Sequence, residues 1–168
     1  MRQLWLAFIL VAAPARSAPL SREEAPAPLR EWVSWVLRGY EREACPFFEG
    51  RGNRQCSWPG VLKLSLDENG GRFEQTWRVH AESRVPLPGG DQWPQDVKVD
   101  GVPAAVGAGA TVLLKPGTRT VSGSFTWKRL PEQLEVPLQT GLLALTVRGQ
   151  AVAFPPRDDA GQIGRAHV

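Results

Sequence analysis

The chain has 168 residues, 42% of them hydrophobic and 22% charged, with a formal net charge of +3. That composition belongs to a globular domain of ordinary size and excludes a disordered or low-complexity chain. The basic excess sits in Arg2, Arg16 and Arg165 near the two ends. Setting these aside brings the basic residues level with the 17 acidic ones, so overall charge gives no reason to expect a nucleic-acid or anionic-membrane surface.

The first residues carry an export pattern. Arg2 supplies a positive start, residues 4–13 are apolar, and Ala13, Ala15 and Ser17 are small enough for a signal-peptidase site. A signal peptide over residues 1–17 is expected, cleaved after Ala15 or Ser17. The apolar run is shorter than the roughly 20 residues needed to cross a bilayer core, and no Cys follows it to take a lipid anchor. Two cysteines, Cys45 and Cys56, lie close together. In an oxidising compartment such a pair reads as a disulfide, worth roughly 3 kcal/mol in the chain-entropy picture. The rival reading is metal binding, but two thiols without a neighbouring His make a poor zinc site.

Residues 18–27 read as a Pro/Ala-rich linker. Leu29, Trp32, Val33, Val36, Leu37 and Tyr40 then share one face at helical spacing, and Pro28 suits a first helical position. An amphipathic helix is expected there, docked on a sheet through Trp32 and Tyr40. A loop pinned by the cysteines follows, with Arg51-Gly52-Asn53-Arg54 as its tip. From Val61 the period becomes two: Leu62, Leu64 and Leu66 alternate with polar residues, and residues 67–71 make a turn. Residues 72–82 place Phe73, Trp77, Val79 and Ala81 on one face, with Gln75 as the exception. Alternation of this kind suits an antiparallel sheet that is wet on one side.

Asp100-Gly101, between Val97-Lys98-Val99 and Val102, signals a two-residue hairpin, with Pro103 marking an edge strand. Lys115-Pro116-Gly117 has Pro and Gly placed for a type II turn between residues 112–114 and 118–127. Arg148-Gly149-Gln150 joins residues 142–147 to residues 151–154. About eight short strands with turns between them predict a mainly β fold, an antiparallel β-sandwich with one N-terminal amphipathic helix, over residues 28–161.

The chain carries no G-x-S-x-G, H-E-x-x-H, P-loop or G-x-G-x-x-G motif. His80 falls on the polar side of a strand, where a solvated role is expected. Asp91, Asp96 and Asp100 match no calcium-loop spacing, and a paired-carboxylate glycosidase site has no support in so small a β domain. No catalytic residue, metal or cofactor is therefore assigned, and binding is favoured over catalysis. The aromatic residues are the richest signal. Trp32, Trp77 and Trp127 follow the apolar periodicity and are expected in the core. Trp35 falls off the helix stripe, while Trp58 and Trp93 each precede a Pro in a loop. Those three are the candidate binding surface, because exposed indoles form flat platforms for sugars or partner proteins.

Residues 97–127, VKVDGVPAAVGAGATVLLKPGTRTVSGSFTW, resemble the small Ig-like β-modules of bacterial envelope proteins, of the PEGA and carboxypeptidase-regulatory-like types. In those modules a V-x-V-D-G hairpin precedes an L-x-P-G-x-x-x-V hairpin. A longer pattern is similar to the N-terminal region of large proteobacterial envelope proteins. It comprises residues 32–37, Cys45-Pro46-Phe47, residues 56–60, residues 85–88, residues 93–97 and Gly141-Leu142. That resemblance implies a periplasmic or envelope location, no activity, and a long continuation through which alone a membrane would be reached. Gln162-Ile163-Gly164-Arg165-Ala166-His167-Val168 resembles a translated sequencing adapter, so residues 162–168 are expected to be a non-native tail. The function expected is a non-catalytic envelope interaction module whose partner is an envelope protein or glycan. The alternatives are a carbohydrate-binding module using its tryptophans, and an accessory domain of an envelope enzyme whose active site lies in further sequence.

Overall fold

A computed structural model describes residues 25–48 and 53–164. The expected signal peptide, part of the loop tip at residues 51–52, and residues 165–168 lie outside them. The chain falls into two units, divided between Arg38 and Gly39.

In the first unit the expected long helix is only one turn, α1 (Val33–Val36), preceded by a 3-10 turn at Ala27–Leu29. Isolated helices shorter than about 12 residues are marginal unless a packed face supports them. Here no residue of α1 is buried, and neither end has a side-chain cap. Gly39, at φ +83, ends the run. Trp32 is 55% exposed, which corrects its expected place in the core. Its ring instead meets Trp35 edge-on, with centroids 6.2 Å apart.

The second unit is built of strands, and its main element is one seven-stranded sheet. Its two longest neighbours are β3 (Ser57–Asp67) and β4 (Gly70–Val79), after a short pair, β1 (Phe47–Phe48) and β2 (Asn53–Arg54). Next along the chain come β5 (Ser83–Pro86), β6 (Gln95–Val99), β7 (Val102–Pro103), β8 (Thr111–Leu114) and β9 (Gly117–Thr126). The last four are β10 (Gln133–Glu135), β11 (Leu143–Val147), β12 (Gln150–Val152) and β13 (Gln162–Gly164). The large sheet runs β12-β11-β3-β4-β9-β6-β7, while β5 pairs with β8 and β10 with β13. It is mixed rather than wholly antiparallel as expected, because β11 runs parallel to β3, with Leu143 beside Leu62 and Val147 beside Leu66.

The alternation seen in the sequence sets the two faces of this sheet. Leu62, Leu64, Leu66, Phe73, Trp77, Val79, Val121 and Phe125 are buried on one side. They share one core with Val85, Val112, Leu114, Leu134 and Ile163 from the two-stranded pairs, and with Val136 just after β10. Trp77 is fully enclosed, and Trp127 is partly buried, stacked on Phe125 at 5.8 Å with its indole N–H donated to the Asp67 carbonyl. Gly123 sits opposite Phe73, and a Cβ there would come within 2.5 Å of the Phe73 ring. Only glycine lets the two central strands pack at that point.

The expected two-residue hairpin at Asp100-Gly101 forms, and the turn expected over Arg148-Gly149-Gln150 is also a two-residue hairpin, with Gln150 already in β12. Asp100 and Gly101 join β6 to β7, and Arg148 and Gly149 join β11 to β12, with all four residues at positive φ. That is the type I′ geometry whose twist matches paired strands. The expected hairpin at Lys115-Pro116-Gly117 is instead a corner. Both edges of β9 are occupied, by β4 and β6, so β8 has no edge to join and pairs with β5. Arg119 holds the corner by donating to the Lys115 and Pro116 carbonyls. Residues 155–161 lead into β13, whose Ile163 is buried opposite Leu134.

Candidate functional site

Cys45 and Cys56 are joined by a disulfide with a Cα–Cα separation of 4.8 Å. Both sulfurs are buried, and Ala81 packs on them. The bond belongs in an oxidising compartment, which fits an exported chain. Arg54 braces the loop from outside: it donates to the Cys45 carbonyl, pairs with Glu43 at 3.1 Å, and lies 4.2 Å over the Phe47 ring.

The three candidate tryptophans take different places. Trp35 belongs to the first unit and is 65% exposed. Trp58 is half-buried in β3, opposite Arg78 of β4. Its ring packs 6.0 Å from Phe48, and its N–H is taken by the Gln55 carbonyl at 3.0 Å. Trp93, in the loop between β5 and β6, is 51% exposed and lines a groove of about 580 Å³. Trp58, in the same unit, does not line that groove.

The Trp93 groove is apolar with a polar rim. Buried Leu87 and Ala110 sit beside Pro86, Pro137 and exposed Leu138, and Glu135 and Gln139 supply the polar atoms. The loop bearing Trp93 is tied down by the Gly89 N–H, which donates to the Glu135 carbonyl, and by the buried side chains of Pro88 and Pro94. The segment carrying Leu138 is held from two sides. From the core, Gln75 donates to the Thr140 hydroxyl at 3.1 Å and to the Gly60 carbonyl at 3.2 Å. From the surface, Arg157 donates to the carbonyls of Leu138 and Thr140. An apolar groove with immobilised walls loses little conformational entropy when something enters it.

Gln75 broke the apolar alternation of its strand, and that mismatch was the one sequence signal pointing to this arrangement. Leu138, Glu135 and Arg157 had none, because their positions depend on pairing across the fold.

Two of the three acidic residues weighed as a calcium set, Asp96 and Asp100, are engaged by neighbouring strands. Asp100 accepts the Thr120 N–H at 2.8 Å and pairs with Arg119 at 3.0 Å. The Thr120 hydrogen bond, and then the Arg119 guanidinium, hold its carboxyl below the usual aspartate range. Asp96 accepts a long hydrogen bond from the Ser124 hydroxyl. Among the described residues no three His, Cys, Asp or Glu side chains gather where they could hold a metal ion. His80 is half-buried beside the disulfide, with its backbone N–H on the Cys56 carbonyl. Compared with protein families, curated proteins and solved structures, the chain matches none.

Proposed function

We propose that the chain is a non-catalytic interaction module of a bacterial cell envelope, and that it holds an apolar segment of a partner protein in the Trp93 groove. The observation that carries this reading is a half-exposed indole beside an exposed leucine, in a groove whose walls are fixed by buried and backbone-directed hydrogen bonds. Aromatic anchors in preformed apolar pockets dominate protein interfaces, and Glu135 and Gln139 form the polar rim such interfaces carry. The two-stranded pairs are read here as the second layer of an Ig-like β-sandwich over the large sheet. The disulfide supports an exported location.

The carbohydrate reading keeps Trp93 as a single stacking platform. It loses the row of indoles that an oligosaccharide would span, since Trp58, in the same unit, lies off this groove.

Site-specific photo-crosslinking tests the proposal in the periplasm of a producing cell. A crosslinker at position 138 is expected to capture a defined protein, and capture should disappear in Trp93→Ala. The same crosslinker at Glu68, on a hairpin tip, should not capture that protein. Equal capture with and without Trp93 would overturn the reading. Capture of glycan alone would shift it to the carbohydrate module.

A further inference from the structure

We infer that the open face of the seven-stranded sheet is a second binding surface, for an extended anionic polysaccharide. This surface is independent of the Trp93 groove. β9 presents Thr118, Thr120, Ser122, Ser124 and Thr126 at alternate positions, all on the side away from Val121 and Phe125. With a rise of about 3.4 Å per residue, that ladder of hydroxyls repeats roughly every 7 Å along the strand. The neighbouring strands add charge in register. On β4, Arg72 stands opposite Ser124, Glu74 opposite Ser122 and Arg78 opposite Thr118. On the other side, Lys98 of β6 stands opposite Ser122. A wide, open depression of about 740 Å³ on this face has Lys63, Arg72, Glu74, Asp96, Lys98 and Ser122 in its lining.

The charges are not balanced within this groove. Glu74 is neutralised by Lys63 at 2.8 Å. Among the described residues Arg72 and Lys98 have no ion pair, and they flank the ladder from opposite sides. The remaining acid in the groove, Asp96, accepts only a long hydrogen bond from the Ser124 hydroxyl and keeps its charge, so three basic against two acidic side chains leave the lining at +1. Hydroxyls that both donate and accept match the hydroxyls of a sugar chain. Arg72 and Lys98, which form no ion pair among the described residues, match its carboxylates, with the Arg fork suited to bidentate contact.

Other partners fit less well. A protein interface excludes charge from its centre, where this face concentrates it. Single-stranded nucleic acid needs exposed rings for stacking, and the one aromatic side chain lining the groove, Phe73, is buried. A neutral glycan would leave Arg72 and Lys98 unanswered.

Calorimetric titration of the mature protein with polygalacturonate oligomers, at low salt, tests this. Binding is expected, with neutral dextran inert. Arg72→Gln together with Lys98→Gln, both at exposed positions, should weaken binding about tenfold or more. Ser122→Ala with Ser124→Ala should weaken it about fivefold at unchanged net charge, while Trp93→Ala should leave it as it was. No binding to polygalacturonate, or unaltered binding in the Arg72/Lys98 variant, would overturn the inference. Single-stranded DNA binding as tightly as polygalacturonate would also overturn it, since simple charge attraction would then suffice. Circular dichroism of each variant separates lost binding from lost folding.

Discussion

Replacing Thr140 with valine removes one oxygen from the core and leaves the side-chain shape almost unchanged. Thr140 is fully buried and Gln75 is 2% exposed. In the native protein the Gln75 amide donates to both the Thr140 hydroxyl and the Gly60 carbonyl. Thr140→Val leaves the amide one acceptor where it had two, a loss of about 1–2 kcal/mol. Gln75→Leu strands both the hydroxyl and the carbonyl, for about 2–3 kcal/mol. The double variant leaves only the Gly60 carbonyl wanting, because the hydroxyl and amide disappear together. Its cost should therefore fall short of the summed single costs by about 1 kcal/mol. Urea unfolding of the four proteins measures this coupling, and Tm should move by roughly 4 °C per kcal/mol. Strictly additive costs, within about 0.3 kcal/mol, would show that the two side chains do not share a hydrogen bond. They would also refute the argument that the groove wall is anchored from the core.

Two further predictions follow from other parts of the fold. Cys45→Ala with Cys56→Ala opens a loop of sequence separation 11 and should lower unfolding stability by about 3 kcal/mol. A loss below about 1 kcal/mol in urea would mean that Arg54 and its contacts hold the loop without the bond. Asp100→Asn keeps an acceptor for the Thr120 N–H but deletes the charge. Because the folded-state pKa of Asp100 is lowered, its charge stabilises the protein above about pH 4 and is lost as pH falls through the folded value. The exposed setting limits that contribution to about 1 kcal/mol. The stability gap between the natural protein and Asp100→Asn should be present at neutral pH and close as pH falls through the lowered folded-state pKa. A gap that stays constant with pH would exclude a charge effect.

Much of the local structure was legible in the sequence. The alternation of Leu62, Leu64 and Leu66, and of Phe73 with Trp77 and Val79, fixed which side of the sheet is buried, because a strand's period is two. Asp100-Gly101 marked a tight hairpin, since few residues accept positive φ, and Gly149 marked the turn between β11 and β12, though not its two-residue length. The Cys45–Cys56 bond was readable from spacing and context. What failed to show was non-local. Helical spacing in residues 29–40 described a face on which no residue of α1 is fully buried, and only that one turn forms. The corner at Lys115-Pro116-Gly117 has hairpin residues, yet whether β8 folds back depends on which edges β9 has already given away. The Trp93 groove draws on residues 86–93, 109–110 and 135–139, and only Gln75, out of place on an apolar face, hinted at the tie behind it.

The parallel pairing of β11 with β3 has a consequence for how this protein reaches its folded state. β3 and β4 can zip together early, since only Glu68 and Asn69 separate them. The other edge of β3 finds its partner only when Leu143 meets Leu62, after the chain has threaded through β5 to β10. Until then a long, leucine-rich edge stands open, with unpaired amides and carbonyls that any passing strand could template upon. Pairings so distant along the chain close slowly, and the half-built state is the one most prone to aggregate. The β3 edge is therefore the place where a folding chain of this design is most exposed to mispairing before its last strands arrive.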